Sequence, residues 1–334
     1  MSSKLLLTPG PTNIPEEYLE ILGSDIIHHR TPKFREIMKE NNENLKKVFK
    51  TTNDVAILTS SGTGSMEAAI VNFFSKGDKV LVINTGYFGD RFKKIAEIYG
   101  LNVINLQYEF GDSYNLDDVK KIIAKNPDLK GILATHSETS VGILNNIKAL
   151  GDLTKNTEIL LVVDTISGLV VNEFDFDGWH IDVAIAGSQK AFLIPPGLAF
   201  VAVSDKAKKA METSDLPKYY FDLKQYEKYF DASAETPYTP AIALILALNQ
   251  SLKDLIKNGI ENTIKGNDNI ASGKNNIIKG NNSTSYGRNN EINSTDGTAV
   301  GNDNKVTGEN SSAFGKGNIA KGNSSAAFGH DNIT

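Results

Sequence analysis

Lys190, in AGSQKAF, and Asp164, in VVDTISG, stand 26 residues apart, each at the end of a strand-like apolar run. An amine on a buried strand end is what pyridoxal phosphate needs for its Schiff base, and a carboxylate beside the ring nitrogen makes that ring an electron sink. Taken singly, each residue has an ordinary reading: an aspartate closing a strand is a turn or cap residue, and a lone lysine is a solvated charge. Two features earlier in the chain strengthen the pair. SSGTGSMEAA (60–69) is a glycine-containing turn between a strand and a helix. Amides at a helix N-terminus, with the Ser61 and Thr63 hydroxyls, can hold a phosphate there. Phe88, in NTGYFGDRF, follows a second strand and offers a ring to stack on a pyridine face.

The elements that must position these groups are legible as alternating runs. Apolar stretches at 55–61, 79–86, 102–108, 130–137, 158–165, 182–188 and 198–204 read as strands. Between most of them lie amphipathic helical patterns, such as 65–74, 90–100 and 116–125. Continuously apolar strands separated by helices predict an α/β fold, with a mostly parallel sheet covered by helices on both faces. Ligands in such sheets bind outside the carboxyl ends of the strands, where Asp164 and Lys190 are expected.

With 334 residues, 40% of them hydrophobic, the chain can bury one large core or two. A net charge of −5 argues against nucleic acid or an anionic membrane as the main partner. No export signal is expected, because MSSKLLLTPGPT breaks at proline after three leucines, and no apolar run reaches membrane length. The expected location is the cytoplasm. Cysteine is absent, which excludes disulfides, thiolate nucleophiles and cysteine metal sites. His28-His29-Arg30 is a weak metal candidate, and His136, beside the strand end carrying Thr139, reads as a hydrogen-bonded core histidine, with a place facing the site as the alternative.

From about residue 265 the texture changes. Glycines recur at 273, 287, 301, 315 and 329, fourteen residues apart, and each is followed three positions later by Asn276, Asn290, Asn304, Asn318 or Asn332. A small residue (Ala271, Ser285, Ala299, Ala313 or Ala327) precedes each glycine by two, and a second glycine series at 266, 280, 308 and 322 is broken only by Ser294. This strict period predicts stacked coils, a parallel β-roll or solenoid with glycine at the tight turns and asparagine in ladders. The repeat resembles the head of trimeric autotransporter adhesins, which implies a three-fold assembly. Its large apolar groups are Ile277, Ile278, Ile292, Val306 and Ile319, with Tyr286, Val300, Phe314 and Phe328.

Residues 5–260 resemble the class V aminotransferases of the serine–pyruvate and alanine–glyoxylate group. The likeness rests on TPGPT (8–12), HHRTPKF (28–34), SSGTGSMEAA, NTGYFGDR, THSETSVG (135–142), VVDTISG and AGSQKAFLIPPGL (186–198). It implies a fold-type I homodimer that uses pyridoxal 5'-phosphate to move an amino group between alanine or serine and a 2-oxo acid, glyoxylate or pyruvate. Carried over, Ser61, Gly62 and Thr63 bind the phosphate, Phe88 stacks on the ring and Thr139 approaches the ring hydroxyl. Asp164 pairs the pyridinium, Gln189 contacts the phosphate, and Lys190 carries the cofactor. Thr239, or alternatively Thr236, reaches the neighbouring subunit's phosphate. The cysteine desulfurases of the same class need a thiol and are excluded.

The expected organisation is therefore an aminotransferase large domain over 1–260 and adhesin-head-like repeats over 265–334. The resemblance also implies a smaller domain after 240–259, holding the arginine that grips the substrate carboxylate; the sequence is expected to enter the repeat instead, weakening turnover. Four arginines are present, Arg30, Arg35, Arg91 and Arg288, and the family role of Arg91 is expected to be structural. The competing expectation is a non-catalytic interaction protein or a fusion in which the repeat carries the function. A dimer is expected to dominate, with a trimer through the repeats as the alternative.

Overall fold

The computed structural model describes residues 6–257, 263–265, 269–274 and 276–334. The expected joint at 260–262 and Gly266 lie outside the described residues. The chain divides into two compact units, one of Met1–Leu169 and Phe174–Lys253, the other of Val170–Glu173 and Asp254–Thr334.

The first unit is built on β1 (Val55–Ser60), β2 (Lys79–Asn84), β3 (Asn102–Gln107) and β4 (Leu129–Thr135). A short hairpin follows, β5 (Ser137–Glu138) and β6 (Ile143–Leu144), then β7 (Leu160–Asp164), β8 (Val183–Gly187) and β9 (Gly197–Val203). Its helices are α1 (Glu16–Leu22), α2 (Pro32–Phe49), α3 (Gly62–Phe73), α4 (Tyr87–Ile98), α5 (Leu116–Lys125), α6 (Ile147–Thr154), α7 (Asp205–Thr213) and α8 (Leu223–Ser233), with α9 (Ile242–Lys257) closing the α series.

Local rules explain the helix starts. Thr31 accepts a hydrogen bond from Phe34 N ahead of α2, with Pro32 at its first position, and Asn115 accepts from Asp117 N ahead of α5. Seven strands pair in the order β1-β9-β8-β7-β4-β2-β3. Five of them, β8, β7, β4, β2 and β3, run parallel, whereas β9 is antiparallel to both neighbours. The sheet is thus mixed and mostly parallel. Every residue of β7 and β8 is buried, which is why these strands read as continuous apolar runs. Met66, Ile70 and Phe73 of α3 and Phe92 of α4 pack with Val82, Leu133, Val162 and Ile185 of the sheet in one core cluster. The carboxyl ends of β2, β4, β7 and β8 are therefore held on a rigid frame.

In the second unit each fourteen-residue repeat supplies one strand to each of two five-stranded parallel sheets. One contains β10 (Thr263–Lys265), β12 (Ile277–Lys279), β14 (Glu291–Ile292), β16 (Lys305–Val306) and β18 (Ile319–Ala320). The other contains β11 (Ile270–Lys274), β13 (Thr284–Arg288), β15 (Thr298–Asn302), β17 (Ser312–Lys316) and β19 (Ala326–His330). Register places Gly287, Gly301, Gly315 and Gly329 in one column. A Cβ on Gly301, whose φ is +117°, would overlap the Gly315 carbonyl oxygen, so the column admits only glycine. The asparagines form a buried ladder in which Asn290 Nδ2 donates to Asn276 Oδ1 at 3.0 Å, and Asn304 Nδ2 donates to Asn290 Oδ1 at 3.0 Å. Ile278, Ile292, Val306 and Ala320 face Ala299 and Ala313 in the core, while Tyr286 and Phe328 are exposed. The interior is narrower than the sequence suggests, because strand alternation turns the aromatic column outward.

Candidate active site

Asp164 is the last residue of β7, paired with Thr135 of β4 on one side and Ile185 of β8 on the other. It is only 3% exposed, and Ile166 N donates to its Oδ1 at 2.8 Å. Burial pushes its carboxyl up to about 7, with the Ile166 bond opposing, Glu138 adding to the rise, and Arg91 and Lys190 opposing it. Among the described residues no cation stands within ion-pair distance of it. Lys190 lies three residues beyond the end of β8, in a turn rather than on the strand itself, where Leu193 N donates to its carbonyl at 3.1 Å. Burial lowers its ammonium below the usual lysine range, and Asp164 works against that fall. The TPGPT segment passes close against the lysine: a Cβ on Gly10, whose φ is +155°, would lie 2.8 Å from Lys190 Cε and 2.9 Å from Nζ.

The turn at Ser61 begins α3, with Gly62 and Thr63 in its first turn, and the amides of Gly64 and Ser65 go to the Ser61 carbonyl at 3.0 and 3.3 Å. Thr63 Oγ1 accepts from Arg91 Nη1 at 2.9 Å. Phe88, half-buried in the first turn of α4, lies under that same guanidinium, whose carbon is 4.9 Å from the ring centre. Thr139 shares a 2.6 Å hydrogen bond with Ser167. Gln189 keeps a buried Oε1 that has no hydrogen-bond partner among the described residues. Thr239 is exposed, whereas Thr236 is buried with its hydroxyl donating to the Tyr238 carbonyl at 2.7 Å. Of these two threonines, Thr239 is the one left facing outward.

Two residues at the site escaped the sequence reading. Glu138, fully buried, accepts from Phe88 N at 3.1 Å, from Gly89 N at 3.1 Å and from Ser140 Oγ at 2.6 Å, and so holds the start of α4 in place. Its signal was a carboxylate directly after the β4 end, in SETS. Arg91, expected to be structural, reaches both Thr63 and Phe88. Arg30 and Arg35 both pair with Glu235, and among the described residues no side-chain group suits a metal. His136 is a core residue, packed against Phe174 and Trp179, but its buried Nδ1 has no hydrogen-bond partner among the described residues, contrary to the hydrogen-bonded role expected; its imidazole is pushed down to about 4 by burial.

The donor set suits pyridoxal phosphate on its own geometry. A buried carboxyl lacking a cation suits a protonated ring nitrogen, and an amine lowered by burial suits the aldehyde.

The mixed, mostly parallel α/β sheet is that of the fold-type I pyridoxal-phosphate enzymes. The chain belongs to the class-V aminotransferases, whose family model matches residues 12–300. That match runs past the boundary expected near 260. An uncharacterized aminotransferase of Methanocaldococcus jannaschii is 42% identical over 269 residues, covering 80% of this chain and 70% of that protein. The L-aspartate–glyoxylate aminotransferase of Paracoccus denitrificans is 38% identical, covering 81% of this chain and 69% of its own. Among solved structures, the alanine–glyoxylate aminotransferase of Nostoc sp. superposes with a TM-score of 0.74 at 28% identity, covering 78% of this chain and 70% of that one. The protein is thus a transaminase whose cofactor is pyridoxal 5'-phosphate. Among the described residues no helix is long and apolar enough to cross a membrane.

Proposed function

We propose that the enzyme transfers an amino group between alanine or serine and a 2-oxo acid, glyoxylate or pyruvate, with Lys190 and Asp164 as its catalytic pair. The observation that carries this reading is the buried, cation-free Asp164 carboxyl beside an amine lowered by burial. When bound, the cofactor supplies an electron-withdrawing ring that stabilises negative charge at the substrate Cα. Asp164 holds a proton on the ring nitrogen through a charge-assisted bond of about 1.5–3 kcal/mol. Lys190 Nζ, whose ammonium is lowered by burial, would take the proton from the substrate Cα and give it back. Phe88 orients the ring, Thr139 approaches its hydroxyl, and Ser61, Gly62, Thr63 and Gln189 bind the phosphate. Thr239 completes the phosphate site of a second subunit in a homodimer.

In this reading residues 1–260 form the aminotransferase domain of a cytoplasmic enzyme, and 265–334 form a β-roll of the adhesin-head kind. Support for the β-roll is the fourteen-residue register of the two parallel sheets. Borohydride reduction of the holoprotein followed by peptide mapping tests the central assignment. A phosphopyridoxyl label on Lys190, in the peptide containing GSQKAF, is expected; a label confined to any other lysine removes Lys190 from the role.

A further inference from the structure

Arg91 is a half-buried cation of the first unit with no carboxylate within ion-pair distance among the described residues, whereas Arg30 and Arg35 both bind Glu235. Burying part of a guanidinium without a counter-charge is costly unless an anion arrives to pair with it. The contacts of Arg91 say where that anion sits. Its Nη1 donates to Thr63 Oγ1 at 2.9 Å, in the first turn of α3, and its Cζ lies 4.9 Å from the Phe88 ring centre and 5.2 Å from that of Tyr87. A guanidinium has five donors and no acceptor, so Thr63 Oγ1 must accept from it. The hydroxyl's own proton is then left to point elsewhere, and a helix N-terminus is where an oxyanion is favoured.

We infer that Arg91 is the residue that makes the α3 turn selective for the phosphate end of the cofactor. It fixes Thr63 as a hydrogen-bond donor and supplies positive charge that Ser61, Gly62 and Thr63 lack. The same side chain, seated on Phe88, ties the ring stack to the phosphate cup. This rests on reading Ser61–Thr63 as that cup.

The test compares two probes, pyridoxal phosphate and pyridoxal, which share the ring and aldehyde and differ in the phosphate. Equilibrium dialysis of the cofactor-free full chain gives Kd for wild type, R91K, R91M, T63V and the T63V/R91M double variant. Loss of a charge-assisted contact predicts that R91M raises Kd for pyridoxal phosphate by about ten- to a hundredfold, with R91K between it and wild type. Kd for pyridoxal should move by less than about threefold, since no phosphate contact is at stake. The double variant should lose less than the product of the two single losses, because both act through one hydroxyl. Equal losses for the two probes would mean that Arg91 serves the ring stack alone, and an unchanged Kd for pyridoxal phosphate would remove it from the site; either result overturns the inference. Should R91M not fold, the ratio of the two Kd values in R91K decides in the same way. A wild-type chain that binds both probes equally would instead overturn the cup assignment, and the inference with it.

Discussion

Replacing Asp164 by asparagine should stabilise the cofactor-free protein at neutral pH. The native carboxyl keeps its proton up to about 7, while the same group in the unfolded chain releases it near its ordinary value of 3.8. Between those two values the unfolded state binds fewer protons than the native state, so the stability contributed by the protonated group is complete below 3.8 and drains away as pH rises towards 7. About three pKa units at 1.36 kcal/mol each give a loss of about 4 kcal/mol. The amide side chain of the D164N variant does not titrate and can keep the bond from Ile166 N, so the variant escapes the loss. The molecule offers a suitable probe, since its single tryptophan, Trp179, lies in the first unit. Urea unfolding followed by Trp179 fluorescence should give a difference between D164N and wild type that grows from pH 4 to 7 by a few kcal/mol. Pyridoxal phosphate should shrink the difference by presenting a cation to Asp164. A difference that stays constant within about 1 kcal/mol across that range would refute the reasoning, since linkage requires it to change.

Three further expectations concern other parts of the molecule. His136, held down to about 4 against an ordinary value of 6.5, stays neutral in the native state while the unfolded chain gains a proton, so stability should fall as pH drops from 6.5 to 4. About 3 kcal/mol is at stake by linkage, and H136F should flatten that acid limb in circular dichroism melts, an unchanged limb counting against it. Glu138→Gln removes a charged acceptor from Phe88 N, Gly89 N and Ser140. It should cost about 1–3 kcal/mol and weaken pyridoxal phosphate binding, measured by urea unfolding and dialysis; full retention of both would show that the α4 start holds without it. Gly301→Ala, set against the Gly315 carbonyl oxygen, should open the second unit to limited proteolysis, and wild-type resistance would show that the glycine column tolerates a side chain.

The central strands of the first unit were legible because buried parallel strands need apolar residues on both faces, and KVLVIN and LLVVD supply them. The direction of β9 was not legible, since an apolar run reads the same for either orientation. Asp164 falls at the end of its strand as its apolar run suggested, whereas Lys190 lies in the turn three residues beyond β8. Glu138 and Arg91 could not be placed in advance. Glu138 binds amides about fifty residues earlier, and Arg91 binds a hydroxyl on another helix, so neither pairing leaves a local pattern. In the second unit the period predicted the register but not the facing of the aromatics. Ser285 turns inward and Tyr286 outward, a choice made by the two-residue alternation of the strand rather than by hydrophobicity.

The asparagine ladder bears on how such a chain can change length. Each rung joins residues fourteen positions apart, as Asn304 to Asn290 and Asn318 to Asn304, and each coil touches only its neighbours along the stack. Adding or deleting a whole fourteen-residue unit recreates every rung and every glycine contact at the new junction. An insertion of one residue instead shifts the following asparagine out of the column and flips the next strand's inward side chains to the solvent. Duplication in complete units is thus nearly silent to the stack, while a single inserted codon is not.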